Sequence, residues 1–298
     1  NLCRDGGILM RYSQQGFTLI ELMVSLVLGM IIVAAATLLF ISGQKSFALQ
    51  QGAADIQDNA NFALNYMTKD IRMANLNGST ASMTSSLANG GIVFSTANLA
   101  GIADTAISQS ALSDTSNVAV GSDQLTIQYL PQQTGGFDCE GTQITSTSVY
   151  VVQRYFVRQD TNVNTNETAA TALALVCAAG RSNNMTDFND KTGQIIMKRV
   201  DYFHILLSVQ NSAGNIRDMT IAQYVASAPD ARILGVKLGL LTRSNQSVGN
   251  DPNINLSKTF KVLNQSVTLN STIQAAQIKN LRQVITQTVA LRNALGAR

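Results

Sequence analysis

One continuous apolar stretch dominates the hydropathy pattern of the chain. From Phe17 to Ile41 nearly every position is apolar, and Glu21 is the only charged residue in this stretch. An α-helix rises about 1.5 Å per residue, so the stretch can cross a hydrocarbon core about 30 Å thick. Arg11 precedes it, and positive charge favours the side of a membrane that stays cytoplasmic. We therefore expect one transmembrane span, over about residues 17–43, with its N-terminus inside.

Amphipathic periodicity continues the helical pattern beyond the apolar stretch. Apolar residues recur at three- and four-residue steps, and polar residues occupy much of the remaining surface. The apolar set is Ile56, Ala60, Ala63, Leu64, Met67, Ile71 and Ala74. A stop signal at Asn75-Leu76-Asn77-Gly78 and the absence of Pro predict one helix over residues 17–78, with a stripe that covers a core. The alternative is an ordinary core helix after a break at Gly43 or Gly52.

The remaining residues, 79–298, have the pattern of a β-rich domain. Ser, Thr, Ala, Asn and Gly dominate residues 79–122, which predicts loops with one short strand at most. Further on, β-branched and aromatic residues cluster between polar breaks, as in antiparallel sheets. The predicted strands are Gln124–Leu130, Ser148–Arg158, Ala172–Cys177, Gln194–Val209, Arg232–Thr242 and Lys258–Leu263. Residues 281–291 fit a strand or a helix, and we assign them to a strand. The predicted fold class is α+β, a long N-terminal helix packed on an antiparallel β-sheet head.

Two ordinary interpretations of the apolar stretch compete with a specialised one. A signal peptide would have a shorter apolar core, and Ala34-Ala35-Ala36 offers a cleavage site for it. A plain membrane anchor is the second ordinary interpretation. Glu21 argues against both, because a carboxylate deep in a bilayer costs on the order of 2.5–3.5 kcal/mol, although less near the interface. The plain anchor also leaves the Gly16-Phe17 junction unexplained.

The residues Gly16-Phe17-Thr18-Leu19-Ile20-Glu21-Leu22-Met23-Val24 resemble the class III signal of type IV prepilins. The resemblance implies that a prepilin peptidase cuts after Gly16 and N-methylates Phe17. It also implies that Glu21 meets the terminal amine of a neighbouring subunit during assembly. Residues 1–16 are then the leader, of which residues 1–9 are an over-long gene start, and the periplasmic head spans residues 79–298.

Segments of the head resemble the PilW type of minor pilin. They are Asp70-Ile71-Arg72-Met73-Ala74, Asp138-Cys139-Glu140-Gly141, Leu175-Val176-Cys177 and Val289-Ala290-Leu291-Arg292-Asn293. Leu38 stands where major pilins commonly have Pro, and Asn75 stands where this subfamily has Gly. The resemblance implies a type IV pilin-like fold and a place in a priming complex at the pilus tip, with other minor pilins, the major pilin and a tip adhesin.

Such proteins are implied to lie in the bacterial inner membrane as single-pass, N-in subunits before assembly, and in the periplasm and at the pilus tip afterwards. They support adhesion, twitching motility or DNA uptake. The closest alternative is a minor pseudopilin of a type II secretion system, which shares the signal and a similar architecture.

The cysteines fit an exported head. Cys3 would leave with the leader, so that Cys139 and Cys177 remain as a pair. An oxidising periplasm favours a disulfide between them. The alternative is two buried free thiols.

Little in the head points to catalysis. His204 is the single histidine, so triads that use histidine and multi-histidine metal sites cannot form, and we expect neither cofactor nor metal. Asp187–Gly193 has the wrong ligand spacing for a calcium loop and predicts a polar turn. Asp138 and Glu140 also fit a turn. The formal net charge is +3, or +2 without residues 1–16, which argues against nucleic-acid contact. A membrane-anchored periplasmic binding module and an anchored enzyme stay open as other classes.

Overall fold

The computed structural model describes residues 16–112, 115–165, 167–249, 251 and 254–294. Most of the predicted leader lies outside these ranges, as does Cys3. The chain divides into two compact units, residues 1–47 and residues 48–298. The first unit contains the start of a long helix. The second contains the rest of that helix and every strand that the structure describes.

The described elements follow the predicted order of a long helix and then a β-rich region. The helices are α1 (Leu19–Ile71), α2 (Met185–Asn189), α3 (Ile221–Ser227) and α4 (Ser271–Ala276), with a 3-10 helix at Arg292–Ala294. The strands are β1 (Gln109–Leu112), β2 (Ser122–Tyr129), β3 (Val151–Gln159), β4 (Leu173–Arg181), β5 (Gln194–Lys198), β6 (Val200–Gln210), β7 (Ile216–Met219), β8 (Arg232–Arg243), β9 (Phe260–Val262), β10 (Gln265–Val267) and β11 (Arg282–Ala290). Residues 282–290, which fitted two kinds of element, form a strand.

The strands form three antiparallel sheets rather than one. Their orders are β1-β2-β3-β4-β5, β11-β8-β6-β7 and β10-β9. The single strand predicted over Gln194–Val209 is two strands, β5 and β6, which belong to different sheets. They part at Arg199, whose φ of 61° lies in the left-handed region and ends the extended run. Arg199 is buried and pairs with Asp160 and Glu167, and these ion pairs hold the side chain at this unfavourable backbone position.

Helix α1 is continuous through Gly43 and Gly52 and ends seven residues before the predicted end at Gly78. Gly52 is buried, and a Cβ built there would lie 3.2 Å from Cβ of Ser244. Close packing therefore accounts for this glycine within a helix. The predicted stripe is confirmed, because all seven of its apolar residues are buried.

The main core joins α1 to both large sheets. It contains Ala60, Ala63, Leu64 and Met67 of the helix, Leu125, Tyr155 and Leu175 of the first sheet, and Phe203, Ile205 and Leu238 of the second. The hairpin β9-β10 covers a smaller core over Tyr202 and Leu241. The second unit therefore depends on the amphipathic half of α1 to close its core.

Asparagines close the C-terminal end of α1. Asn75 takes the left-handed conformation, with φ of 63°. The subfamily resemblance predicts Gly at this residue. Asn is among the few other residues that tolerate this region. Asn293 donates hydrogen bonds from Nδ2 to the carbonyl oxygens of Arg72 (3.2 Å) and Ala74 (3.0 Å). The end of the described chain thus satisfies carbonyls that a helix end leaves without partners.

A buried carboxyl group attaches α1 to the first sheet. Asp70 is 5% exposed, and its Oδ2 accepts a hydrogen bond of 2.8 Å from the Tyr155 hydroxyl. Burial raises the pKa of Asp70 to about 6, even though the bond from Tyr155 acts in the opposite direction. A carboxyl whose pKa is higher in the folded than in the unfolded state stabilises the fold below its unfolded pKa. That contribution disappears as the pH rises through the folded pKa.

We expect the free energy of unfolding to fall by on the order of 2 kcal/mol between pH 4 and pH 7 on account of Asp70. Asp70→Asn should remove this slope, because an amide keeps an acceptor for Tyr155 and does not ionise. Urea unfolding of the chain in detergent micelles at several pH values measures it. Asp58→Asn, at an exposed position of the same helix, is the matched control and should keep the slope. An unchanged slope in Asp70→Asn would refute the assignment.

Candidate assembly site

The first residues of α1 form a capping box. Oε2 of Glu21 accepts hydrogen bonds from the backbone N–H and the hydroxyl of Thr18, both at 2.9 Å. The Thr18 hydroxyl in turn accepts from the N–H of Glu21 at 3.3 Å. The reciprocal bonds satisfy donors that the start of a helix leaves free. Glu21 therefore has a local structural role that competes with the predicted intermolecular one, and an experiment has to separate the two.

Gly16 and Phe17 precede this cap as exposed, non-helical residues. The Phe17 side chain is 89% exposed. Gly16 has no neighbouring atom within 4 Å of the place where a Cβ would lie. No described part of the chain therefore covers this segment. Gly16, Phe17 and Glu21 all lie at this end of α1, because they fall within six positions of the sequence.

The apolar half of α1 carries exposed side chains along its whole length. Within the described residues α1 is the one helix long and apolar enough to cross a membrane. Its hydroxyl groups have partners in their own helix, since Ser25 donates to the carbonyl of Glu21 and Thr37 to that of Val33, each at 2.7 Å. Such bonds lower the free-energy cost of placing a hydroxyl group in an apolar environment. The surface is suited to lipid or to another apolar helix.

The second unit contains the predicted disulfide. Cys139 and Cys177 are bonded, with their Cα atoms 6.1 Å apart. Beside the bridge, Oδ1 of Asp138 accepts from the N–H groups of Glu140 (3.1 Å) and Thr142 (2.9 Å), which is the geometry of a turn. Asp138 and Glu140 also form ion pairs at 2.8 and 2.9 Å, with one arginine and one lysine. These contacts give both carboxylates structural roles.

The remaining candidate groups also have structural partners. His204 is buried, and its two ring nitrogens lie 2.8 Å from Oδ2 of Asp123 and 2.8 Å from Oδ1 of Asn264. The predicted polar turn at Asp187–Gly193 is instead the end of the short helix α2 and a loop, where Lys191 pairs with Asp187 at 3.7 Å. Among the described residues, no group of three or more His, Cys, Asp or Glu side chains could hold a metal ion.

A buried ion network was not predicted. It joins three arginines to three carboxylates, and each side chain is at most 7% exposed. The members are Asp160, Glu167, Arg199, Asp201, Arg243 and Arg282. Asp201 is its centre, because its two oxygens lie 3.0 Å from Nε of Arg243 and 2.7 Å from Nε of Arg282. Its charges balance, so the network is a structural element of the head.

Two family models match separate segments of the chain. Residues 11–37 match the family model described as Prokaryotic N-terminal methylation motif. Residues 154–293 match the model described as Type IV Pilus-assembly protein W. The chain is a type IV pilin-like protein of the PilW family. The predicted recognition of this family and the predicted pilin-like α+β fold class are confirmed.

The wider comparisons add less. Among solved structures, a type IV-like pilin from Thermus thermophilus is similar at a TM-score of 0.38 and 11% sequence identity, over 80% of this chain and 96% of that one. No curated protein sequence matches the chain.

Thr18 has a role in this PilW-family chain that the prepilin motif did not predict. It holds the Glu21 carboxylate in the capping box. The Thr-x-x-Glu spacing before an apolar run was visible in the sequence and is itself a signature of a helix start. The predicted roles of Gly16, Phe17 and Glu21 in processing and assembly stay predictions.

Proposed function

We propose that this PilW-family protein is a minor pilin that helps to initiate type IV pilus assembly as part of the tip or priming complex. It acts as a non-catalytic structural subunit and supports adhesion, twitching motility or DNA uptake through the pilus. The observation that carries the proposal is the exposed apolar half of α1, with Phe17 just before the helix and the capped carboxylate of Glu21 in its first turn. An exposed apolar surface of this extent is typical of helices that contact lipid or another apolar helix.

In the proposed sequence of events, the prepilin peptidase cuts after Gly16 and methylates the new terminal amine of Phe17. The apolar part of α1 holds the chain in the inner membrane, N-terminus inside, until it is extracted into a bundle of neighbouring pilins. There Glu21 pairs with the Phe17 amine of a neighbour. A carboxylate buried among apolar helices needs such a cation, because an unpaired buried charge costs several kcal/mol.

Small residues along α1 support close helix approach in that bundle. Gly29 and the run Ala34-Ala35-Ala36 lie in the exposed apolar half, and apart from its chain neighbours and the nearby backbone of α1 itself no described atom lies within 4 Å of a Cβ built at Gly29. Helices that associate in membranes commonly meet at such small side chains. The major pilin, other minor pilins and a tip adhesin are the proposed partners. The head emerges on the periplasmic side and at the pilus tip.

The charge of Glu21 can be tested apart from its capping role. Glu21→Gln keeps a side chain that can close the capping box but removes the charge. We expect it to be cleaved and methylated normally, and to enter sheared filaments about tenfold less or worse, since breaking a buried ion pair costs roughly 3–5 kcal/mol. Glu21→Ala should behave alike. The amount of the chain in filaments, relative to membranes, is the measurement.

Thr18→Ala is the matched control, because it weakens the cap and keeps the carboxylate. It should enter filaments nearly as well as the wild type. The N-terminal mass of each variant, with and without the prepilin peptidase, reports cleavage independently of incorporation. Normal incorporation of Glu21→Gln would overturn the assembly role. A mature N-terminus other than methylated Phe17 would overturn the pilin function itself.

A further inference from the structure

Three of the four edges of the two large sheets are protected against pairing with another strand. Strand β1 has four residues and an irregular register with β2. Strand β5 ends in Lys198 and pairs with β4 across a register shift. Strand β7 has four residues, of which Arg217 and Asp218 are charged. Short length, bulges and charge are the usual means by which proteins discourage edge-to-edge pairing.

The fourth edge, β11, lacks these protections beyond its first residue, Arg282, whose buried side chain pairs with Asp201. It has nine residues, from Arg282 to Ala290, and pairs with β8 in an unbroken register. From Gln283 to Ala290 it contains neither a charged residue nor Pro. A long, regular and uncharged edge is a template for a further strand.

The register shows which backbone groups of β11 face outward. Leu291 donates from its N–H to the carbonyl of Leu234, and Leu281 accepts from the N–H of Ser244. In an antiparallel pair the residues bonded to the partner strand alternate. The odd-numbered residues of β11 therefore bond to β8, and the even-numbered ones direct their N–H and C=O groups away from it. Among the described residues no backbone partner exists for these groups at Thr286, Thr288 and Ala290.

The open part of the edge runs from Thr286 to Ala290. Nearer the start of β11, Val284 packs against the small core under the hairpin β9-β10. Thr286, Thr288 and Ala290 are exposed, whereas Ile285 is partly buried and contacts the main core. A strand added here would extend the sheet β11-β8-β6-β7 by one strand. It would place apolar side chains beside Ile285 and small or hydroxyl-bearing ones beside the threonines, which form favourable cross-strand pairs.

We propose that residues Thr286–Ala290 of β11 bind an extended, uncharged segment of a different protein by β-strand addition. An uncharged occupant fits this edge, because residues 286–290 offer no charge that could pair with a charged side chain of the added strand. A second copy of the chain is disfavoured for a subunit that has to join a filament, because antiparallel pairing of β11 with itself is isologous and closes as a dimer. This one step rests on the proposed function. The inference goes beyond the proposed function and does not depend on Glu21.

The test uses the full chain in its host, with a photo-crosslinking benzoylphenylalanine in place of Thr288. We expect a crosslink to an uncharged, extended segment of another protein, located by mass spectrometry of the digested product. Thr286→Pro in the same chain should reduce the yield of this crosslink about tenfold or more. Proline removes an outward N–H and leaves every bond to β8 intact, and edge strands tolerate it there. Thr286→Val keeps the N–H and the β-branched shape, and should keep the crosslink.

Three outcomes would overturn the inference. They are no crosslink from position 288, a crosslink to a second copy of the chain only, and a crosslink that Thr286→Pro leaves unchanged. Crosslinking from Ile216, an exposed residue of the β7 edge, is the positional control and should not respond to Thr286→Pro. If Thr286→Pro fails to accumulate, Thr286→Lys replaces it, since a charge at the edge opposes pairing in the same way. Crosslinks are read in membranes, so failure of pilus assembly does not obscure the result.

Discussion

Replacing Asp201 with Asn should lower the free energy of unfolding by roughly 3–5 kcal/mol, the usual cost of breaking a buried ion pair at one partner. Asp201 is fully buried and bonds to Arg243, Arg282 and Asn117. Burial alone would raise its pKa, but Arg282 and Arg243 lower it below its ordinary value, so the group is ionised in the folded head. An amide at this position leaves the network with one uncompensated positive charge and with hydrogen-bond donors facing each other.

Urea unfolding in detergent micelles, followed by tyrosine fluorescence, measures the effect. Asp218→Asn is the matched control, because Asp218 also pairs with a cation, Lys237, at 2.6 Å, and also accepts from a serine hydroxyl, that of Ser208. Its side chain is 35% exposed and that of Lys237 is 33% exposed. Ion pairs in contact with water contribute about 1 kcal/mol or less. If Asp201→Asn and Asp218→Asn lost equal free energies of unfolding, burial would not determine how much the ion network stabilises the head.

The helical part of the fold could be predicted because its signals are local. The apolar stretch, the stripe of seven residues and the stop near Asn75 all lie within one continuous segment. The exact end could not be predicted, because it depends on distant contacts. Asn293, more than two hundred positions away in sequence, bonds to the last carbonyls of the helix turn.

The strands were predictable one by one, but their division into sheets was not. β-Branched and aromatic clusters mark a strand without saying which strand lies beside it. The run Gln194–Val209 has no Gly or Pro to mark the break at Arg199. That break depends on Asp160 and Glu167, which stabilise the arginine from elsewhere in the sequence. The charged residues Lys198, Arg199 and Asp201 within this otherwise apolar run were the available sign.

The candidate assembly site was predictable for the same reason as the helix. Gly16, Phe17 and Glu21 lie within six positions, so their spacing alone defines the motif. The ion network is the opposite case. Its six members are distributed from residue 160 to residue 282, and no spacing relates them. Only the meeting of β6, β8 and β11 in one sheet brings Asp201 beside Arg243 and Arg282.

Removing the disulfide by replacing Cys139 and Cys177 together with Ala should lower the free energy of unfolding by about 4 kcal/mol. The bridge closes a loop of 38 residues, and the loss of chain entropy in the unfolded state predicts roughly this value. It joins the turn at Asp138, between β2 and β3, to the middle of β4, and both cysteines belong to the main core. The measurement is urea unfolding of the full chain in micelles without reductant.

The reduced wild type distinguishes the bridge from the packing of the two side chains. If the bridge supplies the stability, wild type in excess dithiothreitol should unfold close to the double variant, and the variant itself should not respond to dithiothreitol. A variant that is much less stable than the reduced wild type would assign the loss to a cavity in the core instead. A double variant as stable as the oxidised wild type would show that the unfolded chain keeps residues 139 and 177 close together without a covalent bond, since the entropy argument requires them to separate.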